Sequence, residues 1–325
     1  QRIALNQTTR QAVWAKVETR PDAEFNTRRV QDYGLRVTFL DADDKTISGA
    51  FIPVAWPGDD WTSIELHAIP AAPAASAEVH LCSLAVTGVA EFRNVQCVQL
   101  SGDAVSLDAN PLPAGTTLDA GWYVLDVATE DALVPVANAA SIGLTATADD
   151  QPRDGDLHTE VTLTDTTGGD RVLSVFYVCP LEAGTWEWHE SMRDTAPTVS
   201  PGEYQATSGS QAGRGQLSRW PLATVANGTD GRAISLDFTQ PAVYRVGYSA
   251  GLNALYIVFD IALTPEKSAS TLAADVFAFD GTWGFRGAFN RMFELQPEAF
   301  KDRTGGHGLW VPFFESTAIP DFEDF

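Results

Sequence analysis

A-D-V-F-A-F-D (274–280), W-G-F-R-G-A-F-N-R-M-F-E-L (283–295) and G-L-W-V-P-F-F-E (308–315) follow one another near the end of the chain, and their reading decides the fold. The first and last read as buried strands, because their apolar residues run on without strict alternation. Between them Phe285, Ala288, Phe289 and Met292 recur at i, i+3, i+4 and i+7. That stripe belongs to an amphipathic helix which must cover a sheet. Pro297 interrupts it, and Gly305-Gly-His-Gly308 returns the chain to the second strand. Strand, helix, strand predicts a βαβ unit over 271–325. A doubly wound sheet would carry Gly-x-Gly-x-x-Gly after its first strand; none follows here, which favours the opening of a (β/α)8 barrel.

Everything before this unit reads as β. In 1–107, Leu35, Val37 and Phe39 alternate with polar neighbours before the turn at 41–45, and similar short segments recur up to 100. In 108–270, strands are predicted at 122–127, 142–147, 157–165, 171–179, 233–238, 242–248 and 255–263, after a linker at 110–115. The expected fold is therefore mainly β: two β-sandwich or jelly-roll domains, 1–107 and 108–270, then a βαβ segment resembling the start of a (β/α)8 barrel. A change of fold class so close to the last residue predicts a portion of a larger enzyme.

The 325 residues are 44% hydrophobic and 10% aromatic, a globular composition. With 43 acidic against 21 basic residues the formal charge is -22, which argues against nucleic acid or an anionic membrane surface as partner. No run approaches the ~20 apolar residues of a membrane-spanning helix, so no membrane insertion is expected. Cys82, Cys97 and Cys179 lack metal-ligand spacing; a Cys82–Cys97 pairing is left open. There is no His-Glu-x-x-His, Gly-x-Ser-x-Gly or P-loop, and no cofactor is expected.

The order W-A-K-V-E (14–18), V-T-F-L-D-A-D-D-K (37–45), D-D-W-T (59–62), I-P (69–70) and G-V-A-E-F-R-N-V (88–95) resembles the carbohydrate-binding-module-like jelly rolls of secreted glycosidases. Two departures stand out: Arg93 and Asn94 replace the usual paired aspartates, and the module's first strand is lacking before Gln1. Such modules often hold a structural calcium, which the resemblance extends to this one without assigning ligands. D-R-V-L-S-V (170–175), W-E-W (186–188), S-R-W-P (218–221), P-A-V-Y-R-V-G-Y (241–248) and L-Y-I-V-F-D-I-A-L (255–263) resemble the sandwich that precedes the barrel in several glycoside hydrolases. With L-N-Q-T (5–8), residues 283–300, 308–313 and D-F-E-D-F (321–325), the chain looks like a family of large, poorly characterised secreted proteins of glycoside-hydrolase type. The resemblance implies an extracellular or cell-surface location and a polysaccharide or glycan partner. It brings no assigned catalytic residues.

Candidate site residues come from position and chemistry. Groups at the C-terminal ends of barrel strands face the active site. That nominates Asp280, Trp283 and Arg286 after the first strand and Glu315 after the second, with Asp280 and Glu315 as the carboxyl groups glycoside hydrolysis needs. Asp280 has an alternative use, closing a turn with Gly281. Trp186 and Trp188, beside Glu187 and His189, share one strand face that suits either a sugar platform or the core. Trp14, Tyr33, Trp56 and above all Trp61 are platform candidates in the first module. The rival reading is an extracellular structural or adhesive protein that self-associates through stacked sandwiches.

Overall fold

The computed structural model describes residues 1–301 apart from 28–31, 55–59, 71, 101–104, 109, 114, 130–131, 194, 198–202 and 213–214, and these residues are mainly β. Two antiparallel sheets share the first core. One is ordered Arg2–Ala4, Ser76–Ser83, Tyr33–Leu40, Thr46–Pro53, the other Thr62–Ala68, Val13–Pro21, Ala90–Gln99. Alternation explains the facing: Val13, Ala15 and Val17 point inward against Leu35, Val37 and Phe39, while Trp14 and Lys16 turn outward to Glu65. Cys82 and Cys97 lie in different sheets of this sandwich, and both are free thiols, as is Cys179.

The second sandwich is larger. A six-stranded antiparallel sheet runs Val134–Pro135, Gly121–Asp126, Arg171–Pro180, Ala254–Leu263, Tyr244–Ser249, Glu203–Tyr204. Facing it, a seven-stranded antiparallel sheet runs Leu144–Arg153, Asp156–Asp165, Ala269–Asp280, Asp230–Leu236, Leu222–Asn227, Glu187–His189, Thr195–Pro197. Leu173, Val175, Ile257 and Phe259 from one sheet meet Val161, Val225, Ile234 and Leu272 from the other between the layers.

Each sheet is also covered on its outer face. Phe176, Val178, Tyr256 and Val258 point away from the central core and are buried under Leu107 and Leu112 of the hairpin formed by Val105–Leu107 and Asn110–Leu112. The stretch at 110–115 is thus partly hairpin rather than a free linker. On the seven-stranded sheet the cover is the helix Gly284–Leu295, whose Phe285, Ala288 and Met292 pack with Leu222, Ala233 and Phe277. Phe289 is partly buried in the same cluster, so the apolar stripe read from the sequence is the one that docks.

One expectation is corrected by these pairings. The sequence predicts that 274–280 opens a parallel barrel unit beginning at 271, but Ala269–Asp280 lies inside the sheet of the second sandwich, antiparallel to Asp156–Asp165 on one side and to Asp230–Leu236 on the other. Its apolar run has a different cause from parallel pairing. Leu272 and Ala274 fill the central core while Phe277 sits beneath the helix, so both faces are dry. The other expected strand, 308–315, lies outside the described residues.

Candidate functional site

The helix begins where the central strand ends, and the turn between them is set by Asp280. Its carboxylate accepts from the Thr282 backbone N–H at 3.0 Å and caps the short 3-10 turn Gly281–Trp283. Bonding to the Thr282 side chain and backbone holds the Asp280 carboxyl below its usual range. Asp280 is therefore an ionised, capping carboxylate. Of its two readings the structure displays the turn-closing one, and a group with a lowered pKa is poorly suited to act as a general acid at neutral pH.

Gly284 then lets the chain enter the helix. Its φ of +50° lies in the region L residues avoid, and a Cβ there would sit 2.6 Å from the His189 ring. Gly284→Ala is expected to cost about 1–3 kcal/mol, read as a lower urea midpoint with an unchanged m-value. An unaltered midpoint would show that this approach is not needed.

Arg286 and Asn290, Gly287 and Arg291, and Asn290 and Glu294 are pairs four apart on one helix face beside the buried stripe, and Trp283 stands at the helix N-cap. With Phe279 and Asp280 they line a concavity of about 430 Å³. Three residues nominated from the sequence, Asp280, Trp283 and Arg286, are thereby brought together. Asn290, Arg291 and Glu294 were missed, although the same spacing extended by two more turns would have found them. Phe279 can lie along the wall because it pairs with Gly231, where any Cβ would fall 2.5 Å from its ring.

Two charges of the wall are fixed by partners. Arg291 donates to Asp156 Oδ2 at 2.6 Å and to Glu294 Oε2 at 2.9 Å, and these bonds raise its pKa. Asn290 Nδ2 donates to Glu294 Oε1 at 2.8 Å. Arg286 is exposed and forms no ion pair or hydrogen bond among the described residues. Trp283, in the lining of the concavity, is 66% exposed. The wall thus offers an aromatic face, a free guanidinium and a carboxamide, the group types that hold a polar ring-shaped ligand.

The remaining nominated residues lie elsewhere. Trp186 and Trp188 are 4% and 3% exposed in the central core, so neither offers a face to a ligand. Their shared face was legible, but the facing sheet buries it. Glu187 and His189 project to the opposite side. His189 Nε2 is buried with no hydrogen-bond partner among the described residues, 3.8 Å from Glu187 Oε2, and burial lowers its pKa more than Glu187 raises it. It packs under Gly284 and does not line the concavity.

Trp61 is half-buried with Arg93 3.9 Å above its ring and Arg20 at 4.9 Å, so guanidinium groups occupy the platform that a sugar would use. Tyr33 is buried in the first core and its hydroxyl bonds to Thr19. Trp56 and Glu315 lie outside the described residues. Among the described residues no group of His, Cys, Asp and Glu suits a metal ion, and no helix is long and apolar enough to cross a membrane. No protein-family model matches the chain, and no curated protein sequence matches it.

Proposed function

We propose that this chain is the N-terminal portion of an extracellular, polysaccharide-acting glycoside hydrolase, and that the Trp283 concavity contributes carbohydrate contacts to one wall of its site. The observation that carries this reading is the convergence of Asp280, Trp283 and Arg286 on a concavity of about 430 Å³, with a large aromatic face left in water. Burying such a face is favourable, and the apolar C–H face of a pyranose is a fitting cover. Asn290 and Glu294 stand within the same wall to meet ring hydroxyls. Catalysis in this reading requires a second carboxyl group, for which Glu315 is the nominee.

The test is glycan-array binding followed by titration calorimetry. Trp283→Ala is expected to weaken binding about tenfold or more while shifting stability by less than ~0.5 kcal/mol, since the ring is mostly exposed. Trp186 and Trp188 are unsuitable probes because removing either empties the core. If the parent binds no glycan, or Trp283→Ala binds as well as the parent, the reading fails.

A further inference from the structure

We propose that the carbohydrate taken by this concavity is anionic, carrying carboxylate or sulfate groups, and that Arg286 is the residue that receives the anion. The inference rests on the carbohydrate reading and narrows it. Its basis is a count of which charges along the wall are already used. Arg291 is paired with Asp156 and Glu294, whereas Asp280, bonded to the neutral Thr282 amide, keeps its charge at the strand end. Arg286 has no such partner among the described residues, so its planar set of donors stays hydrated and available.

Position reinforces charge. Trp283 is the N-cap of the helix and Arg286 lies in its first turn, and both line the same concavity. A pyranose ring stacked on Trp283 therefore shares its concavity with the Arg286 guanidinium. Arginine meets carboxylate and sulfate oxygens with two parallel hydrogen bonds, which a neutral hydroxyl cannot return.

The chain's formal charge of -22 opposes this only at long range. At physiological ionic strength charges further than about 8 Å are largely screened, so the groups at the wall decide.

The experiment uses the whole chain and three probes of similar size: an oligogalacturonide, the same oligosaccharide with its carboxyl groups reduced, and a sulfated galactan oligosaccharide. Calorimetry is expected to show the oligogalacturonide, the sulfated probe or both binding about tenfold tighter than the reduced one. Whichever acidic probe wins identifies the anion. Arg286→Gln is expected to bring the acidic and neutral probes within about twofold, and Arg286→Lys to keep part of the preference, with melting curves unchanged because the side chain is exposed. Should the reduced oligosaccharide bind as tightly as the acidic ones, or Arg286→Gln leave the preference intact, the anionic inference is overturned and the carbohydrate reading survives. Should no oligosaccharide of either kind bind, both are overturned.

Discussion

Replacing Arg245 by alanine is expected to lower the unfolding free energy of the second sandwich by about 3–5 kcal/mol. Arg245 is 1% exposed, and its guanidinium lies between two carboxylates: Nε donates to Asp108 Oδ2 at 2.9 Å, and Nη1 bonds to Asp260 Oδ2. Ser174 and Gln205 add to the shell, with Ser174 Oγ donating to Asp260 at 2.7 Å and Gln205 Nε2 to Asp108 at 3.0 Å. Removing the cation leaves two buried carboxylates facing each other. The cost arises from that uncompensated charge more than from lost attraction, so the triple replacement Asp108→Asn, Arg245→Met, Asp260→Asn is expected to recover most of it. Urea unfolding at pH 7 distinguishes the cases: equal losses in the single and triple variants would contradict the charge argument.

A second large effect is expected from Glu203, close by. Burial, reinforced by the Asp108 carboxylate and opposed by the Tyr256 hydroxyl that donates to Oε2 at 2.7 Å, pushes the Glu203 carboxyl up from 4.5 to about 8. A carboxyl with a raised folded pKa contributes stability that is fully present below its unfolded value and is lost as pH rises through its folded value. The window here is from about pH 4.5 to about pH 8, and the loss across it is on the order of 4–5 kcal/mol. Glu203→Gln, which cannot ionise, is expected to lie close to the parent near pH 5, to exceed it increasingly up to about pH 8 and to hold a constant margin above that in urea titrations. Parallel stability curves for the two proteins would remove Glu203 as the source.

The sequence and the structure part company at identifiable points. The helix stripe Phe285, Ala288, Phe289 and Met292 was legible because helical periodicity is local. The grouping of Asp280, Trp283 and Arg286 was legible for a similar reason, being fixed within seven residues by one strand end, one turn and the first turn of the helix. The partners of strand 269–280 were not. A dry strand announces only that both faces are covered, and a helix docked on the outer face covers as well as one in a parallel crossover. Trp186 and Trp188 carried the same ambiguity, since period two says which residues share a face and not what that face meets. The Asp108–Arg245–Asp260 cluster gave no signal at all. Asp108 and Arg245 are 137 positions apart, and only the fold brings them together.

The strand Ala269–Asp280 has a consequence for the order in which the molecule can be made. It joins the hairpin of Leu144–Arg153 and Asp156–Asp165 to the ribbon of Asp230–Leu236 and Leu222–Asn227, yet it is the last of these to be synthesised. Until it emerges, the two halves of the sheet have no hydrogen bonds in common, and each presents an open edge to other chains. A nascent chain must therefore keep two unfinished ribbons apart during translation, and the keystone is laid last, with the helix that seals its outer face arriving directly behind it.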